Sequence, residues 1–266
     1  MALWTLFGLS EGKATTRWPG SGGEDGQAGV LGMPRYAPER CEAGCTECAA
    51  VCPSGAIAPA AGAPGGIALD YGRCVVCQLC TEACPTGALS PSHDWAFGVR
   101  RREDLVWSAT PVSAPAAAAD RPSPAFRRSL HIRHVDAGSC NGCESELQAL
   151  NNPFYNLHRL GIFFTASPRF ADLLLVTGAV THAMQGPLRA TWEAMPEPRF
   201  VMAAGTCAVS GGIAAGGYAC ASGLEGVLPV DLYLPGCPPN PAAIITALLT
   251  LQGRAGQRVA GGRYGE

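Results

Sequence analysis

The chain has 266 residues, 47% of them apolar and 15% charged, and a formal net charge of -2. That balance excludes a disordered polyelectrolyte and offers no basic face to a phosphate backbone, so no nucleic-acid partner is expected. Lys13 is the one lysine and Ala14 follows it, which rules out a Walker A loop and leaves little scope for Schiff-base chemistry.

Thirteen cysteines admit two readings, a secreted disulfide framework or thiolate metal sites. Residues 1–10 contain no basic n-region and no cleavage site, and no twin arginine stands near the start, so export is not expected and the thiols are read as reduced. Residues 1–34 are expected to form a docking segment: a short apolar stretch over 2–9, then a Gly-rich run. An interfacial membrane anchor is the alternative, disfavoured because the polar positions lack basic residues.

Residues 35–107 form a Cys-rich block with an internal repeat, in which Cys52-Pro-Ser-Gly-Ala-Ile-Ala-Pro returns as Cys84-Pro-Thr-Gly-Ala-Leu-Ser-Pro. Two copies imply a pseudo-two-fold unit. Cys74-x2-Cys77-x2-Cys80-x3-Cys84-Pro is the bacterial ferredoxin run, in which three close thiolates hold one [4Fe-4S] cube and the fourth crosses to the other. The upstream run, Cys41-x3-Cys45-x2-Cys48-x3-Cys52-Pro, has one more residue in its first gap, which Ala43 and Gly44 are expected to absorb. Cross-ligation pairs Cys41, Cys45, Cys48 and Cys84 on one cluster, and Cys52, Cys74, Cys77 and Cys80 on the other. Soft iron-sulfide cubes want thiolates, and the short gaps pin three corners. A pair of zinc sites is the competing reading, disfavoured because each run supplies too many close thiolates for one tetrahedral ion. Arg100, Arg101 and Arg102 read as a solvated or subunit-facing patch.

Residues 108–129 are Pro- and Ala-rich and read as an extended interdomain linker that would leave the two halves as independent folding units. Beyond it, 130–253 alternate short β-rich runs with helical ones. Strands are expected at 131–135, 162–165, 173–176, 200–204 and 232–234, and helices at 144–160, 186–195 and 241–251. Strands alternating with helices imply a parallel sheet with helices on both faces. The fold class is therefore an α+β dicluster ferredoxin domain followed by an α/β, flavodoxin-like domain, with 254–266 as a tail. The uncharged stretch 200–224 is Gly/Ala-rich and polar-dotted, so no spanning helix is expected there.

Four cysteines of the second domain, Cys140, Cys143, Cys207 and Cys237, lie just beyond carboxyl ends of expected strands, the edge of an open α/β sheet where ligands gather. They suit a third [4Fe-4S] cluster, against the alternative of inert structural thiols. Cys220 reads as a small buried apolar residue. Glu144 stands at a helix start, where the macrodipole favours a carboxylate, with a proton-path or subunit-contact role as the alternative. His131, His134, His158 and His182 show no metal-like spacing and read as packing or surface. No dinucleotide or flavin fingerprint occurs, and no catalytic residue is assigned.

Four segments carry a resemblance: Cys140-Asn-Gly-Cys-Glu-Ser-Glu-Leu, the run from Ala171 to Thr181, Gly205-Thr-Cys-Ala-Val-Ser-Gly-Gly, and the run from Val230 to Pro241 with its Pro-Gly-Cys-Pro-Pro. Over 127–253 the chain resembles the small subunit of membrane-bound, group 4 [NiFe]-hydrogenases of the formate hydrogenlyase type, homologous to the 20 kDa subunit of complex I. Complex I subunits have adjacent cysteines where this chain has Cys140-x2-Cys143, which favours the hydrogenase branch. Residues 1–107 resemble the ferredoxin-like subunit of the same complexes, so the chain looks like a fusion of two usually separate neighbours.

The resemblance implies an electron-transfer subunit with three [4Fe-4S] clusters and no bond-making site of its own, peripheral on the cytoplasmic face of the membrane. Cys140, Cys143, Cys207 and Cys237 would bind the cluster facing a [NiFe] large subunit, similar to the complex I 49 kDa subunit. Membrane-arm subunits and an electron donor such as formate dehydrogenase, CO dehydrogenase or a ferredoxin are the other implied partners. A complex I-like module serving quinone, or a non-redox iron-sulfur scaffold, are the alternatives.

Overall fold

The computed structural model describes residues 3–12, 17–20, 25–108 and 124–265. Most of the expected linker, 109–123, lies outside them. A short helix α1 (Leu3–Glu11) opens the chain with none of its residues buried. The Cys-rich half follows as β1 (Arg35–Tyr36), α2 (Glu47–Ala50), β2 (Ile57–Pro59), β3 (Ile67–Leu69), α3 (Leu79–Ala83) and β4 (Leu89–Ser90). β1 pairs antiparallel with β4, and β2 with β3. The sequence repeat thus becomes two equivalent units, each a tight turn, a one-turn helix carrying a cysteine, and a strand.

The second half runs β5 (Leu130–Asp136), α4 (Gly142–Ala149), β6 (Ile162–Phe164), β7 (Leu173–Thr177), α5 (His182–Glu193), β8 (Phe200–Ala204), α6 (Thr206–Ser210), β9 (Leu232–Leu234) and α7 (Pro241–Leu251). Its five strands pair in parallel in the order β6-β5-β7-β8-β9, the flavodoxin-like order with its switch point between β5 and β7. β7 is buried along its whole length, as a central parallel strand must be when both faces are covered. Leu173 and Leu175 face one apolar cluster with Leu147 of α4 and the Ile/Leu side chains of α7. Leu174 and Val176 face the other, with Leu188 of α5 and Val209 of α6. Asn240 caps α7 by accepting from the Ala243 N–H at 2.7 Å, with Pro241 in the first turn.

Two helices differ from the sequence reading. The helix expected over 144–160 stops at Ala149, because Asn151-Asn152-Pro153 follows and a residue before proline is driven out of the helical region; a single 3-10 turn, Leu157–Leu160, recovers the rest. The helix expected from 186 begins at His182, with Pro187 in its interior, where the ring forgoes the bond to the Ala183 carbonyl.

The halves are not independent packing units. One apolar cluster takes in Tyr71, Phe97, Val99 and Leu105 from the Cys-rich half together with Val135, Val176, Val209 and Tyr233 from the sheet half. Val99 and Tyr233 exchange backbone hydrogen bonds at 2.9 and 2.8 Å. Of the arginines at 100–102, Arg100 serves this junction, while the other two make pairs within the Cys-rich half and Arg101 stays exposed. Arg100 donates to the carbonyls of Thr250 and Leu251 at the C-terminus of α7, where a cation also suits the helix dipole. Arg101 pairs with the buried Asp104, and Arg102 pairs with both oxygens of Asp70. Residues 254–266, expected as a tail, contain a hairpin of β10 (Val259–Ala260) and β11 (Arg263–Tyr264), tied to the Cys-rich half where the Gly262 N–H donates to the Asp104 carbonyl at 2.7 Å.

Candidate metal centres

All thirteen cysteines are free thiols. Cys41, Cys45, Cys48 and Cys84 line one cavity, closed by Tyr36, Ile67 and Leu89. Cys52, Cys74, Cys77 and Cys80 line a second, closed by Pro34, Ile57, Leu69 and Gln78. In each, three thiols come from one run and the fourth from the other. The crossing follows from the fold: Cys52 and Cys84 follow the short helices α2 and α3, which pack together, so each stands over its neighbour's loop.

The two units match closely, although the amide that reaches the sulfur lies four residues on in the first and five in the second. The Ala56 N–H donates to Cys52 Sγ at 3.2 Å and the Leu89 N–H to Cys84 Sγ at 3.4 Å. Ser54 and Thr86 place their hydroxyls 3.8 Å from the same sulfurs. The extra residue of the first run is absorbed in a reverse turn: the Cys45 N–H bonds the Glu42 carbonyl at 3.1 Å, and Gly44 takes φ +83°. The second run is strained instead, since Val76 and Gln78 stand at φ 58° and 64°, a region a β-branched residue rarely occupies.

The third quartet gathers at the carboxyl edge of the sheet. Cys140 and Cys143 follow β5, Cys207 is the second residue of α6 after β8, and Cys237 follows β9. Burial, then Glu144, then the thiols of Cys207, Cys237 and Cys140 raise the Cys143 thiol. Cys140 and Cys237 are exposed while Cys143 and Cys207 are half-buried, so this site opens to the surface. Gly205 is required here: it sits at φ 90°, ψ 150°, and a Cβ on it would lie 2.7 Å from Cys143 Sγ. The Cys140 loop is tied by Asp136, which accepts from the N–H groups of Gly138 and Ser139, and by Ser139, whose hydroxyl donates to Glu144 at 2.7 Å.

Electrostatics separate these thiols from ordinary ones. Burial pushes Cys74, Cys80 and Cys143 up to about 12, and burial followed by neighbouring thiols also raises Cys48, Cys207 and Cys237. At Cys84 burial pulls upward, but the Leu89 amide together with the Thr86 hydroxyl and the amides of Thr86 and Ala88 outweighs it, and the thiol is lowered. Raised thiols need a strong positive centre before they ionise, which thiophilic iron would provide. Four sulfurs around each cavity, with amides aimed at them, fit a cubane. Among the described residues, no three or more His, Cys, Asp or Glu side chains converge as a single ion would need.

Several neighbours carried no signal in the sequence. Tyr36 lines the first cavity and Tyr71 donates to the carbonyl of Pro34 on the wall of the second, their phenols raised by burial and then by the thiols Cys41 and Cys74 respectively. Glu144 is more than a favourable helix-start charge, since it accepts from the Thr177 hydroxyl and lies 3.5 Å from His134 Nε2. His134, expected to be plain packing, joins that network through Thr177 at 2.9 Å, on the wall of a cavity of about 270 Å³. His131 and His158 do pack, stacking on Phe163. Cys220 is half-buried rather than buried, its thiol donating to the Ala214 carbonyl at 3.1 Å.

Residues 140–251 match the model of the NADH ubiquinone oxidoreductase 20 kDa subunit family, and 67–90 match that of the 4Fe-4S binding domain. An uncharacterized protein of Methanocaldococcus jannaschii is 43% identical over 129 residues, covering 48% of this chain and 86% of that protein. The chain belongs to the 20 kDa subunit family. As a member, with its 4Fe-4S binding domain, it is an iron-sulfur protein related to complex I and hydrogenase subunits. Formate hydrogenlyase subunit 7 of Escherichia coli is 42% identical over 134 residues, half of this chain and 52% of that protein, so the chain spans about half the length of that relative. Among solved structures, the membrane-bound sulfane sulfur reductase, an archaeal respiratory membrane complex, contains a chain 34% identical, with a TM-score of 0.44 over 55% of this chain and 84% of that one. Among the described residues, no helix is long and apolar enough to cross a membrane.

Proposed function

We propose that this chain is the electron-relay subunit of a membrane-associated [NiFe]-hydrogenase complex of the formate hydrogenlyase type, passing single electrons through three [4Fe-4S] clusters to or from a catalytic large subunit. The observation that carries this reading is the serial arrangement of three cysteine quartets. The first two cavities adjoin through α2 and α3, close enough that Cys48 raises the Cys80 thiol electrostatically, and the second meets the third where Cys74 touches α6.

Cys41, Cys45, Cys48 and Cys84 would hold one cluster, Cys52, Cys74, Cys77 and Cys80 another, and Cys140, Cys143, Cys207 and Cys237 the third. Bound clusters supply one-electron couples. The chain's own residues keep water from the two inner sites with Ile57, Ile67, Leu69 and Leu89, and offset part of the sulfur charge with the amides of Ala56 and Leu89. The exposed Cys140 and Cys237 leave the third site open toward a partner, the place for a large subunit. Membrane-arm subunits, a position on the cytoplasmic face, and a donor such as formate dehydrogenase, CO dehydrogenase or a ferredoxin complete the proposal.

A complex I-like module delivering electrons to quinone is the second reading, favoured by the family that the sheet half matches. Anaerobic purification of the native complex, with metals, labile sulfide, hydrogen evolution and quinone reduction assayed together, tests both. The expected result is about twelve irons and twelve sulfides per copy of this chain, with nickel and hydrogen evolution. A nickel-free complex that reduces quinone would move the assignment to the second reading, and clusters that do not titrate reversibly would leave only a scaffold.

A further inference from the structure

We infer that the Thr206 hydroxyl couples the second cysteine site to the third, a positioning role that rests on the electron-relay reading above. Thr206 is 1% exposed and opens α6, one residue before Cys207. Its Oγ1 donates to the backbone carbonyl of Cys74 at 2.8 Å and accepts from the backbone N–H of Gly236, the neighbour of Cys237, at 3.0 Å. The Thr206 N–H returns a bond to the Gly236 carbonyl at 2.9 Å. One side chain therefore touches the ligand loop of the second site and both loops that deliver Cys207 and Cys237 to the third.

A hydroxyl has one proton and two acceptor positions. Here the proton is committed to Cys74 and an acceptor position to Gly236, so partners on opposite sides fix the group, and burial strengthens both bonds. From the Cys74 carbonyl the route crosses one hydrogen bond and then runs through covalent bonds to Cys207, with a second branch through the Gly236 amide to Cys237. Electronic coupling decays far less steeply along bonds than across a van der Waals gap. An apolar side chain of the same shape would break the route and leave the Cys74 carbonyl and the Gly236 N–H without this partner. In the transfer that Thr206 would serve, one site loses the electron that the other gains, and no covalent bond forms or breaks.

The test uses the full chain reconstituted with iron and sulfide, as wild type, Thr206→Val, which keeps the shape without the hydroxyl, and Thr206→Ser, which keeps the hydroxyl. Two readouts are independent of turnover: the exchange splitting between the reduced second and third clusters in EPR, and the rate at which the third site gains an electron after a flavin photoreductant, itself regenerated by a sacrificial amine, reduces the chain. Midpoint potentials are titrated in parallel so that driving force is held apart from coupling. The Val chain is expected to lose the splitting and slow the transfer, and the Ser chain to keep both. A Val chain with wild-type splitting and rate overturns the inference, as does a Ser chain that loses as much as Val. Should the Val chain not load its third site, Thr206→Ala carries the same comparison; if neither loads it and Ser does, the hydroxyl assembles the site and the coupling role is wrong. A wild-type chain without a third cluster signal would instead defeat the relay reading itself.

Discussion

Replacing Gly205 by alanine should remove the third site while sparing the other two, and the size of the effect follows from two local terms. The backbone there lies at φ 90°, ψ 150°, close to a region that is nearly glycine-only, and holding a side-chain-bearing residue so costs about 1–3 kcal/mol. The added Cβ would also meet Cys143 Sγ at 2.7 Å, so that thiol must swing away, at about 0.5–1.5 kcal/mol if it leaves its rotamer. Gly216→Ala is the matched control, because Gly216 shares a positive φ of 79° but a Cβ there meets nothing within 4 Å. Urea unfolding of the iron-free chains gives the backbone term, and iron analysis after anaerobic reconstitution gives the ligand term. The Gly205 variant is expected to retain about eight irons and to be the less stable of the two, while the Gly216 variant retains about twelve. A Gly205 variant with full iron and the stability of its control would refute the claim that this glycine makes room for the thiol.

Cys84→Ser should disturb the cluster held with Cys41, Cys45 and Cys48 and leave that of Cys74, Cys77, Cys80 and Cys52 complete; EPR showing the reverse would mean that each run feeds its own cluster. Arg102→Met removes two charged hydrogen bonds to Asp70 from a pair whose side chains are 18% and 24% exposed, and should destabilise the chain by about 1.5–3 kcal/mol in urea, with Asp70→Asn adding little in the double variant. Full additivity would show that the pair does not act as a unit. Burial, opposed by Glu144, holds the folded His134 below its ordinary value, so the folded chain binds fewer protons than the unfolded one and stability should fall as pH drops below about 6.5. His134→Gln should flatten that part of the stability-pH curve, and an unchanged slope would assign it to other groups.

The sequence exposes these sites unevenly. The cysteine ladders and the five strands are local patterns, a fixed spacing or a short apolar run closed by Gly or Pro, and the folded chain shows the strands within two residues of their expected ends. The crossing of Cys52 and Cys84 is an expectation of the ferredoxin spacing, and the fold sets each beside the other run's thiols. What stays hidden is what depends on distant partners: Arg100 and Arg102 look like solvated charge until α7 and Asp70 arrive beside them. Thr206 looks like an ordinary helix-start residue until the Cys74 carbonyl, 132 positions away, comes within 2.8 Å. The shared core of the two halves is built from Val, Phe and Tyr with no periodicity to mark them, so a Pro-rich segment between them suggested more independence than the packing allows.

That common core changes what the covalent connection at 109–123 contributes. Two bodies that already bury apolar surface against each other and trade backbone bonds at Val99 and Tyr233 do not need a peptide link to recognise one another. A covalent link between them converts such an encounter into an intramolecular one, raising the effective concentration of each half for the other. Its gain is then obligatory one-to-one stoichiometry and insensitivity to dilution: cut within 109–123, the halves should remain associated at high protein concentration and part only when dilute.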